Sequence, residues 1–230
     1  MDDRFIRFSA LIGEEAFRRI QGSRVIVFGA GGVGGYVIEA LARAGVGGIT
    51  VVDGDRVEKS NFNRQILATE SSLGRFKADA AAERVLEINP GCRVEAVREF
   101  YLPENADSIR LQDFDFVTDA VDTVAAKLEI AERCYKQKVP VISCMGTGNK
   151  LRPELFKLGD IFETSVCPLC RVMRRELKKR GVPELKVLYS TETPVSDSRP
   201  PLSAPFAPSV AGLLIAADVI KRLMSPADGK

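Results

Sequence analysis

The chain has 230 residues, 45% hydrophobic and 28% charged, an ordinary globular composition that argues against disorder or a fibrous repeat. Its 33 basic and 31 acidic side chains leave a formal charge of +2, so nothing global marks a nucleic-acid binder. Histidine is absent, which excludes an imidazole base, a serine–histidine triad and any histidine metal ligand. The five cysteines follow no paired-framework spacing, and the start MDDRFIRF lacks the basic-then-apolar pattern of a signal peptide. A reduced, cytoplasmic protein is expected. The longest apolar stretch, Val210 to Ile220, carries Asp218 and falls short of the roughly 20 residues a membrane span needs. It reads as a closing helix.

The first 145 residues alternate strand and helix signals. Arg24 to Phe28 is an apolar run ending at a glycine cluster, which suits a buried parallel strand. A helix follows over Val33 to Ala44, with Val33, Val37, Leu41 and Ala44 on one side, then a strand at Ile49 to Val52. A helix from about Ser72 to Ile88 leads to a strand at Arg93 to Val97. Phe114 to Val117 and Val139 to Ile142 read as strands flanking a helix over Val124 to Lys136. Such alternation predicts an α/β fold, a Rossmann-like doubly wound and mostly parallel sheet. After Gly148 the pattern changes to strands at Leu151 to Ile161 and Leu185 to Tyr189 around a basic helix. That predicts a mixed, antiparallel C-terminal extension. A single domain over 1–230 is expected, with 1–150 as the nucleotide-binding core and 151–230 as the extension. Charge follows the same division: 1–150 holds 20 basic and 22 acidic side chains, while 151–230 holds 13 and 9.

Gly29-Ala30-Gly31-Gly32-Val33-Gly34 fits G-x-G-x-x-G between a strand and a helix. Its glycines allow a tight turn and close backbone approach, and the helix N-terminus offers amides to a phosphate. Asp53 ends the second strand, where an acidic side chain accepts from ribose hydroxyls. These features alone fit a nicotinamide dinucleotide as well as ATP. The run Asp53-Gly54-Asp55 through Asn61-Phe62-Asn63-Arg64-Gln65 to Lys77 adds an arginine and a lysine beside the pyrophosphate position. A dehydrogenase has no need of that pair, whereas expelling pyrophosphate from ATP does. Asp122 follows the fourth parallel strand, where a carboxylate can hold Mg²⁺ together with phosphates. Arg64 or Lys77 taken singly is as readily a solvated surface charge.

The ordered set resembles the ubiquitin-activating-type adenylyltransferases, the family of ThiF, MoeB and HesA, over roughly residues 4–150. The resemblance implies a phosphate loop at Gly29, Gly31, Gly32 and Gly34, a ribose ligand at Asp53 and triphosphate contacts at Asn61, Arg64 and Lys77. It implies ATP and Mg²⁺ as cofactors, with Asp122 as the metal aspartate. Arg4-Phe5-Ile6-Arg7 is similar to the family's start, where the second arginine reaches the partner's triphosphate, so Arg7 implies a homodimer.

Two branches of the family compete. Members that activate the C-terminal glycine of a ubiquitin-like sulfur carrier typically hold structural zinc on two Cys-x-x-Cys pairs. Here Cys167-Pro168-Leu169-Cys170 is one pair and Cys92, Cys134 and Cys144 are single. Four ligands close a zinc site, so no structural zinc is expected unless a dimer shares two pairs. The other branch, the tRNA threonylcarbamoyladenosine dehydratases (TcdA or CsdL), lacks that motif, and its resemblance continues through Glu87-Ile88-Asn89-Pro90 to Tyr189-Ser190-Thr191-Glu192. It implies a tRNA carrying threonylcarbamoyladenosine as substrate, with a sulfur-transfer protein as a further partner. The modification's carboxylate would be adenylated and then closed into a ring.

Arg171, Arg174, Arg175 and Lys178 fall at i, i+3, i+4 and i+7, one face of a helix. Such a stripe suits RNA phosphates, and equally a solvated face. Cys144 and Cys167 occupy positions that can favour a thiolate, although packing as small apolar groups is the commoner outcome.

Overall fold

The computed structural model describes residues 2–198 and 200–225. Two short helices, α1 (Ile6–Ile12) and α2 (Glu14–Gly22), precede the first strand, β1 (Arg24–Phe28). The core continues through α3 (Gly34–Arg43), β2 (Gly48–Val52), α4 (Lys77–Ile88), β3 (Arg93–Val97), β4 (Phe116–Asp119), α5 (Val124–Gln137) and β5 (Val141–Cys144). The remainder adds β6 (Phe156–Asp160), α6 (Pro168–Lys179), β7 (Lys186–Ser190) and α7 (Ala207–Met224). Among the described residues, seven strands join one sheet in the order β3-β2-β1-β4-β5-β7-β6. Every pairing is parallel except β6 with β7, which is antiparallel. The expected doubly wound sheet with an antiparallel C-terminal edge is therefore present.

β1 and β2 are buried almost throughout, which is why both read as continuous apolar runs rather than alternating ones. On one face, α7 lies across α3, burying Ala211, Ile215, Ala216 and Val219 against Val37, Ile38 and Leu41. Burial of each such valine, leucine or isoleucine is worth about 1.5–3 kcal/mol. Close approach there depends on Gly212, because a Cβ at that position would lie 2.4 Å from the Val33 carbonyl oxygen. The last helix thus packs on the first nucleotide-loop helix, and no helix among the described residues is long and apolar enough to cross a membrane.

Several boundaries differ from the sequence expectation. The strand expected at Phe114 starts at Phe116, because Phe114 closes a 3-10 turn and takes the Arg24 guanidinium over its ring at 5.3 Å. The strand expected at Val139 starts at Val141: the Val139 amide is spent on the Cys134 carbonyl, closing α5 around Lys138 at φ 57°. The helix expected from Ser72 begins at Lys77, since Glu70–Ser72 is a 3-10 turn and Gly74 takes φ 80°. In the stretch expected as a strand from Leu151, Pro153–Leu155 forms a 3-10 turn and only Phe156–Asp160 is extended.

Candidate active site

Strand order reverses between β1, which runs on to β2 and β3, and β4, which runs on to β5. At such a switch point the carboxyl ends of the strands open a crevice. The glycine loop leaves β1 into it. Gly29 adopts φ 89°, and a Cβ there would lie 2.7 Å from the Ala120 carbonyl oxygen, so no other residue fits. Gly34 is as constrained, with a Cβ position 1.8 Å from the Gly29 oxygen. Gly31, by contrast, faces open space with only the Gln65 amide nitrogen at 3.8 Å. The amides of Gly31, Gly32 and Val33 have no hydrogen-bond partner among the described residues. They lie at the N-terminus of α3, where the helix dipole adds its positive end. The arrangement is a cradle for an anionic group.

Asp53 stands at the end of β2 beside this loop. Its two carboxylate oxygens accept from the Ala30 amide at 2.7 Å and the Asp55 amide at 2.8 Å. Burial raises its pKa above the usual carboxylate value, against the pull of those amides and of the Lys77 charge. Lys77 opens α4 as a buried side chain, its ammonium 2.8 Å from the Asp55 carboxylate. Backbone bonds from Lys77 to Asp55 and from Val57 to Arg75 hold these segments side by side, and the Arg56 guanidinium stacks on Phe76 at 3.8 Å. Arg64 lies against the loop, its Cγ 3.4 Å from the Cβ position of Gly32. Its guanidinium donates to the Ser60 carbonyl at 2.8 Å and to Asn63 at 2.9 Å. Asn61 is buried and spends its side chain locally, accepting from the Glu58 amide at 3.1 Å and donating to Ser60.

Asp122 is exposed at the crevice edge beyond β4, and among the described residues its carboxylate accepts only from the Thr123 hydroxyl, at 3.4 Å. Arg7 is not in this chain's own crevice. It is exposed on α1, and neighbouring Phe5 packs on Phe17 and on Gly45, in the turn that enters the amino end of β2, away from the carboxyl ends that open the crevice. On α6, the Arg174 guanidinium folds back onto the Thr164 carbonyl at 2.9 Å, and Arg175 pairs with Glu176 at 2.9 Å. Arg171 and Lys178 are exposed with no ion-pair partner among the described residues. Cys170, Met173 and Leu177 form the buried face of the same helix.

Two features escaped the sequence reading. Gln65 is buried at 7% exposure, and among the described residues its side-chain oxygen has no hydrogen-bond partner. An orphaned acceptor beside the glycine cradle fits a ligand that carries a donor. The second feature is a buried ion pair under the crevice floor. The Lys127 ammonium donates to Asp119 at 3.1 Å and to the Cys144 carbonyl at 2.6 Å, and the Ser143 hydroxyl donates to Asp119. Asp119 also accepts from the Val121 amide at 3.2 Å, which fixes the turn leading to Asp122. Lys127 carried a signal: it shares a helical stripe with the apolar Ile130, Ala131 and Cys134. Removing one partner of a buried pair costs about 3–5 kcal/mol, or roughly 6–20 °C at about 2–4 °C per kcal/mol. Lys127→Met is expected to lower the melting temperature by that amount in a thermal unfolding scan. A shift under about 2 °C would show that the pair is not holding the floor.

The sequence pattern of the ThiF family matches residues 3–229. This chain belongs to the ThiF family. Its relative in Bacillus subtilis (strain 168), a tRNA threonylcarbamoyladenosine dehydratase, is 38% identical over 239 residues, spanning 96% of this chain and 94% of that protein. The crystal structure of Escherichia coli tRNA N6-threonylcarbamoyladenosine dehydratase, TcdA, in complex with ATP superposes with a TM-score of 0.89 at 32% identity, over 96% of this chain and 93% of that one. Escherichia coli MccB with ATP, at 20% identity and a TM-score of 0.70, covers 97% of this chain and 64% of its own and shares the fold. Bulk of space does not mark the family's crevice. A cleft of about 1060 Å³ opens at the amino ends of β4, β5 and β7, between α5 and α7, and contains none of the nucleotide-loop residues.

Proposed function

We propose that this ThiF-family chain is an ATP-dependent tRNA threonylcarbamoyladenosine dehydratase. The observation that carries the reading is the glycine cradle with its unpaired amides, flanked by Asp53, Lys77 and Arg64 in a chain similar over nearly its whole length to such enzymes. Gly31, Gly32 and Val33 would receive the phosphates of ATP on backbone amides, and Asp53 would accept from the ribose. The chain's own donor set also suits Mg²⁺, which binds through one or two carboxylates plus phosphates. Asp122, exposed and nearly unpartnered, would hold the ion, and bound Mg²⁺ would neutralise charge on the phosphates.

The reaction then asks little of acid–base chemistry, in keeping with a sequence without histidine. The threonylcarbamoyl carboxylate attacks the α-phosphorus of ATP, forming an acyl-adenylate and releasing pyrophosphate. Lys77 and Arg64 offset the negative charge that builds on the leaving group. A ureido nitrogen of the same side chain next attacks the activated carbonyl, loses its proton and expels AMP. The ring closes with net loss of one water. Holding nucleophile and carbonyl together supplies effective molarity in place of a strong base.

Arg7 would complete the site of a second copy, making the working unit a homodimer. Ile6 and Leu11, 52% and 80% exposed on the same helix, supply apolar surface for that contact. Residues 151–230 would form the tRNA-facing extension, with Arg171 and Lys178 on phosphates and Arg174 and Arg175 joining once their local bonds exchange. The setting is the cytoplasm, where tRNA and ATP meet.

In solution, pyrophosphate release from ATP should require tRNA bearing threonylcarbamoyladenosine, and a protein ending in Gly-Gly should not replace it. Arg171→Glu with Lys178→Glu should weaken tRNA binding and lower the slope of log affinity against log salt by about two. Release driven by a Gly-Gly-ended protein alone would favour the sulfur-carrier reading.

A further inference from the structure

Cys167-Pro168-Leu169-Cys170 takes no part in the chemistry above. Cys167 is the N-cap of α6, Pro168 is its first residue and Cys170 lies one turn on. Both thiols are buried, at 4% and 0% exposure, in one apolar cluster with Met145, Met173 and Leu177. Residues three apart on a helix bring their β-carbons to about 5–6 Å, a modest adjustment from disulfide geometry.

The Cys167 sulfur lies where two elements meet, the start of α6 and the loop after β5. A Cβ on Gly146 would lie 3.6 Å from this sulfur. The neighbouring Cys170 thiol first, then the nearby Cys170, Gly146 and Leu169 amides, bring Cys167 down to about 5 against the cost of burial. Cys170 moves the other way, raised by the neighbouring Cys167 sulfur and by burial. The single cysteines Cys92 and Cys144 are pushed up by burial, to about 11 and about 12, and Cys134 is pushed up as well. Beside the pair, Val166 is 46% exposed at φ 65°, and the Cys167 amide donates to the Ser165 carbonyl at 2.7 Å. A β-branched residue resists such a three-residue turn. The exposed segment flanking Cys167 is therefore also a strained one.

We propose that Cys167 and Cys170 form a thiol–disulfide exchange site that reacts with low-molecular-weight disulfides of the glutathione class. The Cys167 thiolate attacks one sulfur of the small disulfide, breaking its S–S bond and releasing one thiolate. The Cys170 thiol gives its proton to solvent and attacks the Cys167 sulfur, closing the intramolecular disulfide and releasing the second thiolate. The two protein thiols lose two electrons, and the small disulfide gains them. Cys167 is the attacking residue and Cys170 the resolving one. This chemistry needs no ATP or tRNA, so it stands apart from the proposed function.

The test uses the full-length protein. Reduced wild type is incubated with oxidised glutathione, alkylated under denaturing conditions, digested and read by peptide mass. The peptide holding Cys167 and Cys170 is expected unalkylated and lighter by two hydrogens, while Cys92, Cys134 and Cys144 are alkylated. Dithiothreitol should restore alkylation of the pair. In Cys170→Ser, glutathione should remain on Cys167 as a mixed disulfide; in Cys167→Ser, Cys170 should take up none. A wild-type pair that stays fully alkylatable, a Cys144–Cys167 bond, or equal uptake by the two variants would each overturn the proposal.

Discussion

Replacing Asp122 by alanine is expected to lower adenylation, read as pyrophosphate release with tRNA present, by about 10²–10³-fold. That factor is about 2.7–4 kcal/mol of transition-state stabilisation. The fold should be unaffected, because the side chain is exposed and its single bond among the described residues is the 3.4 Å contact from Thr123. Exposed substitutions away from caps and networks usually stay within about 0.5 kcal/mol, so the melting temperature should move by no more than about 1–2 °C. The neighbouring Asp119 differs in kind: it is fully buried and paired with Lys127, and its loss should be read mainly in stability. Full activity in Asp122→Ala would remove this carboxylate from the reaction. A collapse in stability would instead assign it to the fold.

Arg7 and Lys77 provide the second large effect, through a restoration rather than a loss. Each alanine variant alone should be about 10²-fold less active. Lys77 is buried, but its partner Asp55 is 53% exposed and stays solvated when the lysine is removed, so the variant should fold. Mixing the two variants then distinguishes a shared site from a self-contained one. In a mixed dimer, the crevice of the Arg7→Ala chain keeps its own Lys77 and receives Arg7 from the partner. Random exchange between subunits of a two-fold dimer makes about one site in four complete, so about a quarter of wild-type activity should return. Additive inactivity in the mixture would mean that Arg7 does not act across a dimer.

Legibility of the sequence depended on whether the deciding contacts were local. β1 was readable because Val25 to Phe28 is apolar on both faces and stops at the glycine loop. The loop itself was readable because its backbone demands glycine at 29 and 34. β4 and β5 were placed about two residues early for a nonlocal reason. Their carboxyl ends, Thr118-Asp119 and Ser143-Cys144, are polar or small, yet they are buried and extended because Lys127 reaches between them from α5. A window on the chain ends the strand at Val117 and leaves Asp119 beyond it, whereas the folded protein keeps Asp119 in β4 as the floor of the crevice. Gln65 shows the same limit in the site: the motif contained it, but only packing left its oxygen buried and unpaired. On α6 the helical spacing was right, while the division of labour among its cations came from Thr164 and Glu176.

The central claim is chemical and is tested most directly on the tRNA. Bulk tRNA carrying threonylcarbamoyladenosine would be incubated with this protein, ATP and Mg²⁺, digested to nucleosides and read by mass spectrometry. The account predicts loss of one water from that nucleoside, dependent on ATP and absent with Lys77→Ala. An unchanged nucleoside, on tRNA shown to carry the modification, would contradict it.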